Sequence, residues 1–249
     1  MLAGSSAKKN IREYILEFLM LFFAVTLGFF AENIREYYAE REMEAKFIEV
    51  VLEDLQADIT TLKSTIQTQE QRIAYEDSLI QLLTARDYSN MRDLYFFARV
   101  TSLRNFFQPS INGFQQLKNA GGLKMIEEHD LITKIQHYEN QIHRVIELQE
   151  LTEGLVEKYR DQAAQLFDGR VFKEMFINPS VADIYQKFQK PIGNPSFIDN
   201  NEKKLNELLI RTLYVNTNSN TALNRYRIIL KEAEELHQLL SQHYSSVGK

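Results

Sequence analysis

The sequence contains no cysteine. That excludes disulfides, thiolate metal sites and a cysteine nucleophile, and it leaves the redox compartment open. Helix breakers are scarce, with 4 prolines and 9 glycines in 249 residues. No proline precedes Pro109, and Gly28 is the one glycine between Ser5 and Gly113. Such a chain is predicted to form long helices. An excess of positive charge is also missing: Lys+Arg is 29 against 34 for Asp+Glu, a net charge of −5, which argues against a nucleic-acid-binding face. No nucleophile elbow, P-loop, dinucleotide fingerprint or HExxH occurs, so neither an enzyme nor a bound cofactor is expected.

What stands out instead is an apolar run, ILEFLMLFFAVTLGFFA over residues 15–31, with one charge, Glu17. Its helical length is roughly 25 Å, the short end of what spans a bilayer core. Its Leu, Ile, Phe and Val residues favour insertion by roughly 3 to 7 kcal/mol in total, and Glu17 costs at most about 3 kcal/mol. A transmembrane helix is therefore expected, following a short cytoplasmic tail over 1–14. A cleaved signal peptide fits less well, because bulky Phe29 sits where a cut after Ala31 needs a small residue. A buried core helix is the other alternative. Lys8, Lys9 and Arg12 before the span tie with Arg35, Arg41 and Lys46 after it. The latter are interleaved with Glu32, Glu36, Glu40, Glu42 and Glu44, which favours an inside N-terminus and a large domain beyond the cytoplasmic membrane.

Helical periodicity resumes directly after the run. Phe47, Val51, Leu55, Ile59, Leu62, Ile66, Ile73, Ile80 and Leu83 define an apolar stripe, so one helix is predicted from about residue 10 to 86, on the order of 110 Å long. Residues 32–46 read as a charged, solvated stalk. A second helix is predicted over 91–105, capped by Ser89 or Asn90, and a short one over 111–119 ending at Gly121-Gly122. A long helix follows from a cap at Asp130 to about Phe167, with Leu131, Ile135, Tyr138, Ile142, Val145, Tyr159, Ala163 and Leu166 as its stripe, ended by Asp168-Gly169. Residues 168–200, with Pro179, Pro191, Pro195 and several aromatics, read as an irregular excursion with short helices that caps its own bundle, with a partner surface as the alternative. The last helix, 201–244, carries the stripe Leu205, Leu209, Leu213, Leu223, Tyr226, Leu230, Ala233, Leu236 and Leu240, interrupted by a polar patch at Asn216–Thr221 that reads as a frayed or exposed turn, with a polar layer for a ligand inside the bundle as the alternative. The expected fold is all-α: an antiparallel bundle of about four helices whose long first helix extends into a single span, with the bundle over 47–249.

The order of features resembles a known family. Glu32-Asn33, Phe47-Ile48-Glu49, Leu52-Glu53-Asp54-Leu55, Asp58-Ile59, Gly113-Phe114-Gln115-Gln116-Leu117-Lys118, Gly121-Gly122-Leu123, Ile126, Leu131, Ile135 and Tyr138 carry the likeness, over roughly residues 10–140. The chain looks like an uncharacterised family of single-span helical membrane proteins from Bacteroidota. Gly113-Phe114, in place of a polar–Tyr pair, and a longer 170–200 excursion depart from the pattern. The resemblance implies an envelope location and no activity.

Few side chains suggest chemistry. On a helix, Glu17, Leu21, Ala24, Gly28, Ala31 and Glu32 share one face, and Ala24-x-x-x-Gly28 is a small-xxx-small pair that allows close helix approach. This face is the candidate site. Glu17 is read as a packing residue, with snorkelling to the interface or proton handling as alternatives. His137 and His143, like His237 and His243, are six apart and do not share a face, so no metal site is expected. Glu53, Asp54 and Asp58 read as solvated charges. The functional expectation is a non-catalytic membrane-anchored structural or interaction protein in contact with the lipid bilayer, a homo-oligomer or a partner of another envelope membrane protein. A helical receptor module, or an accessory of an ion-driven complex using Glu17, are the alternatives.

Overall fold

In the computed structural model, which describes residues 11–86 and 88–247, the chain is all helical. The basic residues Lys8 and Lys9 of the expected tail lie outside the described residues. The first helix, α1, runs unbroken from Ile11–Ala85, as the lack of breakers requires. Near its N-terminus it is long and apolar enough to cross a membrane, and none of that stretch is buried within the chain.

The bundle begins at Arg41. Arg41 donates to the Met125 carbonyl at 2.7 Å and pairs with Glu44, which is buried and accepts from the Tyr244 hydroxyl. The solvated stalk is thus shorter than the charge pattern suggests, because Arg41 and Glu44 find partners 84 and 200 residues away. From here α1 turns one face inward through Ile48, Val51, Leu55, Asp58, Leu62, Thr65, Gln69, Arg72, Glu76, Leu79 and Leu83, all buried.

Helix α2 spans Met91–Thr101 and is N-capped by Asn90, whose side chain accepts from the Asp93 amide. It ends four residues before the expected position. Arg99 donates to the Ser102 hydroxyl at 2.7 Å, and Arg160 reaches the Ser102 carbonyl, so the chain is pinned there and continues as an extended strap. Helix α3, Asn112–Asn119, then docks its N-terminus against α1, and Gly121 turns the chain at φ +72°. Together α2, the strap and α3 form one broken column running back along α1.

Helix α4 spans His129–Ala163. It is preceded by Glu128, not Asp130; Asp130 instead lies in the first turn, where its charge still favours the helix dipole. It stops four residues short of Phe167. Asp168 does not end it but caps α5, Gly169–Met175, by accepting from the Arg170 amide. The excursion then holds a single 3₁₀ turn at Tyr185–Lys187 and a one-residue bridge between Phe176 and Phe188, and it covers the distal end of the bundle with Tyr185 and Phe188.

Helix α6, Glu202–Val247, runs without a break, antiparallel to both α1 and α4. The expected interruption at Asn216–Thr221 is absent, since Asn218 and Ser219 are buried and hydrogen-bonded inside the bundle. Its core line is Leu205, Leu208, Thr212, Val215, Ser219, Ala222, Tyr226, Ile229, Ala233, Leu236 and Leu240. The matching line on α4 is Leu131, Ile135, Tyr138, Ile142, Val145, Gln149, Thr152, Val156, Tyr159 and Ala163. All three lines advance in alternating steps of three and four, the 3.5-residue repeat of left-handed coiled-coil packing.

Gly113 shows how tightly the broken column is seated. A Cβ there would stand 2.9 Å from the Val50 carbonyl carbon and the Val51 nitrogen, which are backbone atoms that cannot step aside. Gly113→Ala is expected to cost about 1–3 kcal/mol in urea unfolding. Gly154→Ala, in the middle of α4 with open space around its Cβ, is expected to gain about 0.4–1 kcal/mol. Equal effects at the two positions would refute the close docking of α3.

Candidate functional site

The bundle core divides into two apolar clusters. One, near the start of the bundle, is built around Ile48, Val51, Leu55, Phe114, Tyr138 and Ile229. The other, at the distal end, is built around Leu79, Leu94, Tyr95, Tyr159, Leu166 and Leu208. Between them the same heptad positions carry Thr65, Gln69, Arg72 and Glu76 from α1, Gln149 and Thr152 from α4, and Ser219 from α6, and all are buried.

At the centre of this layer is an ion pair. Arg72, 2% exposed, donates through Nε to Glu76 Oε1 at 2.7 Å, and Glu76 is fully buried. The same oxygen accepts from the Ser219 hydroxyl at 2.9 Å, and Gln69 Nε2 donates to the Ser219 carbonyl at 3.0 Å. The Asn218 amide donates to Thr152 Oγ1, and Gln149 Nε2 donates to the Phe107 carbonyl and to the Tyr226 hydroxyl. Burial pushes the Glu76 carboxyl up from the usual range, and the adjacent Arg72 guanidinium opposes that shift. At the edge of the layer Arg104 pairs with Glu153, and Arg160 reaches the same carboxylate at 3.4 Å. Arg99 stacks over the Phe188 ring with its guanidinium 4.5 Å from the centroid, which ties the excursion to the end of α2.

A second polar device fastens the broken column to α1. Asp54 Oδ2 accepts from the Gly113 amide at 2.6 Å. Asp58, fully buried, accepts from the Ser110 amide at 2.7 Å through Oδ1 and from the Tyr138 hydroxyl at 2.8 Å through Oδ2. Burial raises the Asp58 carboxyl to about 6, and the two hydrogen bonds only partly offset this. These aspartates are not solvated, contrary to the charge-pattern reading. Asp58 supplies an acceptor to the strap, and Asp54 supplies one to a first-turn amide of α3 that has no partner within its own helix.

The residues singled out on the first helix lie together along its exposed apolar part. Glu17, Leu21, Ala24, Gly28 and Glu32 are all exposed. Glu32 pairs with Arg35 one turn on, and the Thr26 hydroxyl donates to the Phe22 carbonyl at 2.8 Å, so the one hydroxyl in the run is satisfied within the helix. A Cβ at Gly28 would meet nothing within 4 Å. His143 stands 4.0 Å from Glu139, and His137 stands 3.3 Å from Glu232, both at the surface. Among the described residues no group of three or more His, Asp or Glu is placed to hold a metal ion.

Sequence reasoning meets the buried layer only on α6, where a polar layer inside the bundle is the less favoured reading of Asn216–Thr221, and passes over its α1 and α4 members. The signal on α1 is that Thr65, Gln69, Arg72 and Glu76 keep the 3–4 spacing of Val51, Leu55 and Leu62. No family model matches the chain, and no curated protein or solved structure matches it either.

Proposed function

We propose that this chain is a non-catalytic, membrane-anchored helical interaction protein of a bacterial envelope, held by a single span over residues 15–31 and carrying its bundle outside the cytoplasmic membrane. This is the kind of protein its sequence resembles. One observation carries the reading: a helix with Phe18, Phe22, Leu27, Phe29 and Phe30 each more than half exposed continues without a break into the core of a packed bundle. So large an apolar surface on all sides of a helix is costly in water and favourable in lipid. The continuity also favours a retained anchor over a removable leader, since cleavage after Ala31 would divide one rigid element. The test is fractionation of the full-length protein from cell membranes. It is expected to pellet without detergent, to resist alkaline carbonate and to enter solution with detergent. Full-length protein in the high-speed supernatant without detergent overturns the anchor.

The anchor is proposed to pair with a second copy of itself or with another membrane helix through the Ala24–Gly28 face. The small residues Ala24 and Gly28 and the open space at Gly28 support that choice of face. Continued down α1 in steps of three and four from Glu44, the bundle's own seam passes through Arg41, Tyr37, Ile34, Phe30, Leu27, Phe23, Met20 and Leu16. Glu17, Leu21, Ala24, Gly28 and Ala31 lie one residue, about 100°, round from it. Farther along α1 the same offset carries Lys63, Glu70 and Asp77, which meet α6 through Glu234, Arg227 and Asn216. Because Gly28 faces open space within the chain, Gly28→Leu leaves the monomer undisturbed. It is expected to weaken self-association of the detergent-extracted protein roughly tenfold or more, about 1.4 kcal/mol. An unchanged oligomer distribution in native mass measurements removes this face from the proposal.

A further inference from the structure

The break in the column of α2 and α3 leaves room on one side of the bundle. Packed helices lie about 8–10 Å apart, whereas neighbouring strands lie about 4.8 Å apart. Where the strap takes the place of a helix, a space about one strand wide therefore opens between it and α1. A groove of about 520 Å³ lies there, walled by Thr61, Ser64 and Thr65 of α1 and by Arg104, Phe106 and Gln108 of the strap.

The strap presents an unused backbone edge to this groove. Its side chains alternate: Phe107 is 1% exposed in the core, while Phe106 is half-buried and Gln108 exposed. In an extended segment the main-chain groups alternate too, toward one edge and then the other. Phe107 turns its edge to the interior, where its carbonyl accepts from Gln149 Nε2 at 3.0 Å and its amide is hydrogen-bonded to the Tyr226 hydroxyl. Ser110 has the opposite parity and donates its amide to Asp58 on α1. Phe106 and Gln108 share the parity of Ser110, so their N–H and C=O groups face α1 and the groove. None of these four groups has a partner among the described residues. Such an edge is a template for strand addition.

The charge at the groove has one sign. Arg104 is the one charged side chain that lines it. Its guanidinium lies 5.3 Å from the Phe106 ring centroid, and its buried Nε has no partner in the protein. Arg104 pairs with Glu153 on α4, but Arg160 reaches the same carboxylate. An acidic group entering the groove therefore meets a guanidinium that does not hold a carboxylate to itself.

We infer that this groove takes an extended acidic peptide segment of a partner protein, which adds as a second strand to the Phe106–Gln108 edge and sets a carboxylate against Arg104. Main-chain hydrogen bonds to the strap supply affinity, and Arg104 supplies the preference for acid. The hydroxyls of Thr61, Ser64 and Thr65 give the far edge of the added strand polar neighbours. The inference rests on the reading of the chain as an interaction protein and not on its anchor.

The test uses the full chain, amide-labelled in detergent micelles, and short end-blocked peptides of alternating valine and glutamate. Binding is expected to shift the Phe106 and Gln108 amide resonances and to slow their hydrogen exchange. Lysine in place of glutamate in the peptide, or Arg104→Gln in the protein, is expected to weaken binding roughly tenfold. N-methylation of the strap-facing peptide residues is expected to abolish it, and that comparison leaves the protein's fold untouched. An acidic peptide that leaves both amides unshifted at millimolar concentration overturns the inference, whereas membrane fractionation alone decides the anchor. Equally tight binding of the lysine or N-methylated peptide, or the same amide shifts with inorganic phosphate alone, overturns it as well.

Discussion

Arg72→Ala, with Glu76 left in place, is expected to cost about 3–5 kcal/mol in urea unfolding of the bundle, because it strands a carboxylate in the interior. That is a large share of the 5–15 kcal/mol or so available to a domain of this kind. The size of the effect follows from burial: Arg72 is 2% exposed and Glu76 fully buried, so neither charge recovers hydration when the other is removed. Protonation would let Glu76 escape part of the penalty, and the upward push of burial on its carboxyl makes that route easier. The loss should therefore shrink in mildly acid solution. Replacing both partners, as Arg72→Met/Glu76→Leu, removes the two desolvation costs together. It is expected to leave stability unchanged or to raise it by about 1–4 kcal/mol. A single-variant loss below about 1 kcal/mol would mean that the pair is hydrated well enough to behave as a surface ion pair.

The pair has a further consequence for specificity. Three long helices whose cores repeat every seven residues are able to slip by a heptad and still bury apolar side chains. The layer removes that freedom, since Glu76 meets the Ser219 hydroxyl, and Asn218 meets Thr152, in only one alignment. The hypothesis that Arg72 and Glu76 fix register predicts that the apolar double variant, though at least as stable, shows broadened or doubled amide resonances. A single sharp set identical in number to wild type would refute it.

How much of this was readable beforehand depends on what apolar periodicity reports. Helix α4 was legible because its core line is apolar on both sides of Gln149 and Thr152, and every residue of its expected stripe is buried. In α1 the apolar stripe was followed through Ile66, Ile73 and Ile80, which are only half-buried, while the core face runs through Thr65, Gln69, Arg72 and Glu76. The pattern drifted sideways at the point where the interior becomes polar. The same happened in α6, where Leu209 and Leu213 were expected inside and Leu208, Thr212 and Val215 are. A polar residue declares itself buried only through its partner. Here those partners are 143 residues away for Glu76 and 80 for the bond of Asp58 to Tyr138. The exposed apolar run needed no partner to be recognised, and it was the clearest feature of the sequence.

Asp58 yields the second large effect. Asp58→Ala is expected to cost about 2–5 kcal/mol, because it orphans the half-buried Ser110 amide and the buried Tyr138 hydroxyl at once. Asp58→Asn should be far milder: the amide oxygen still accepts from Ser110, and the amide nitrogen donates to a reoriented Tyr138 hydroxyl. The two variants also separate packing from charge. Burial raises the folded-state pKa of Asp58 from 3.8 to about 6. A raised carboxyl pKa contributes stability that is fully present below the unfolded value and lost as the pH climbs through the folded one. Between pH of about 4 and 6 wild type should therefore lose about 3 kcal/mol relative to Asp58→Asn, which lacks the titrating group. Asp54, one turn back on α1, adds negative charge beside Asp58 and holds the shift in that direction, while Glu232 on α6 acts on the Tyr138 phenol. Parallel urea titrations of the two proteins across this range decide the matter, because taking their difference cancels every carboxylate they share. A difference that stays flat with pH would show that Asp58 is ionised at ordinary acidity, and that its hydrogen bonds to the strap and to α4 outweigh the cost of burying its charge.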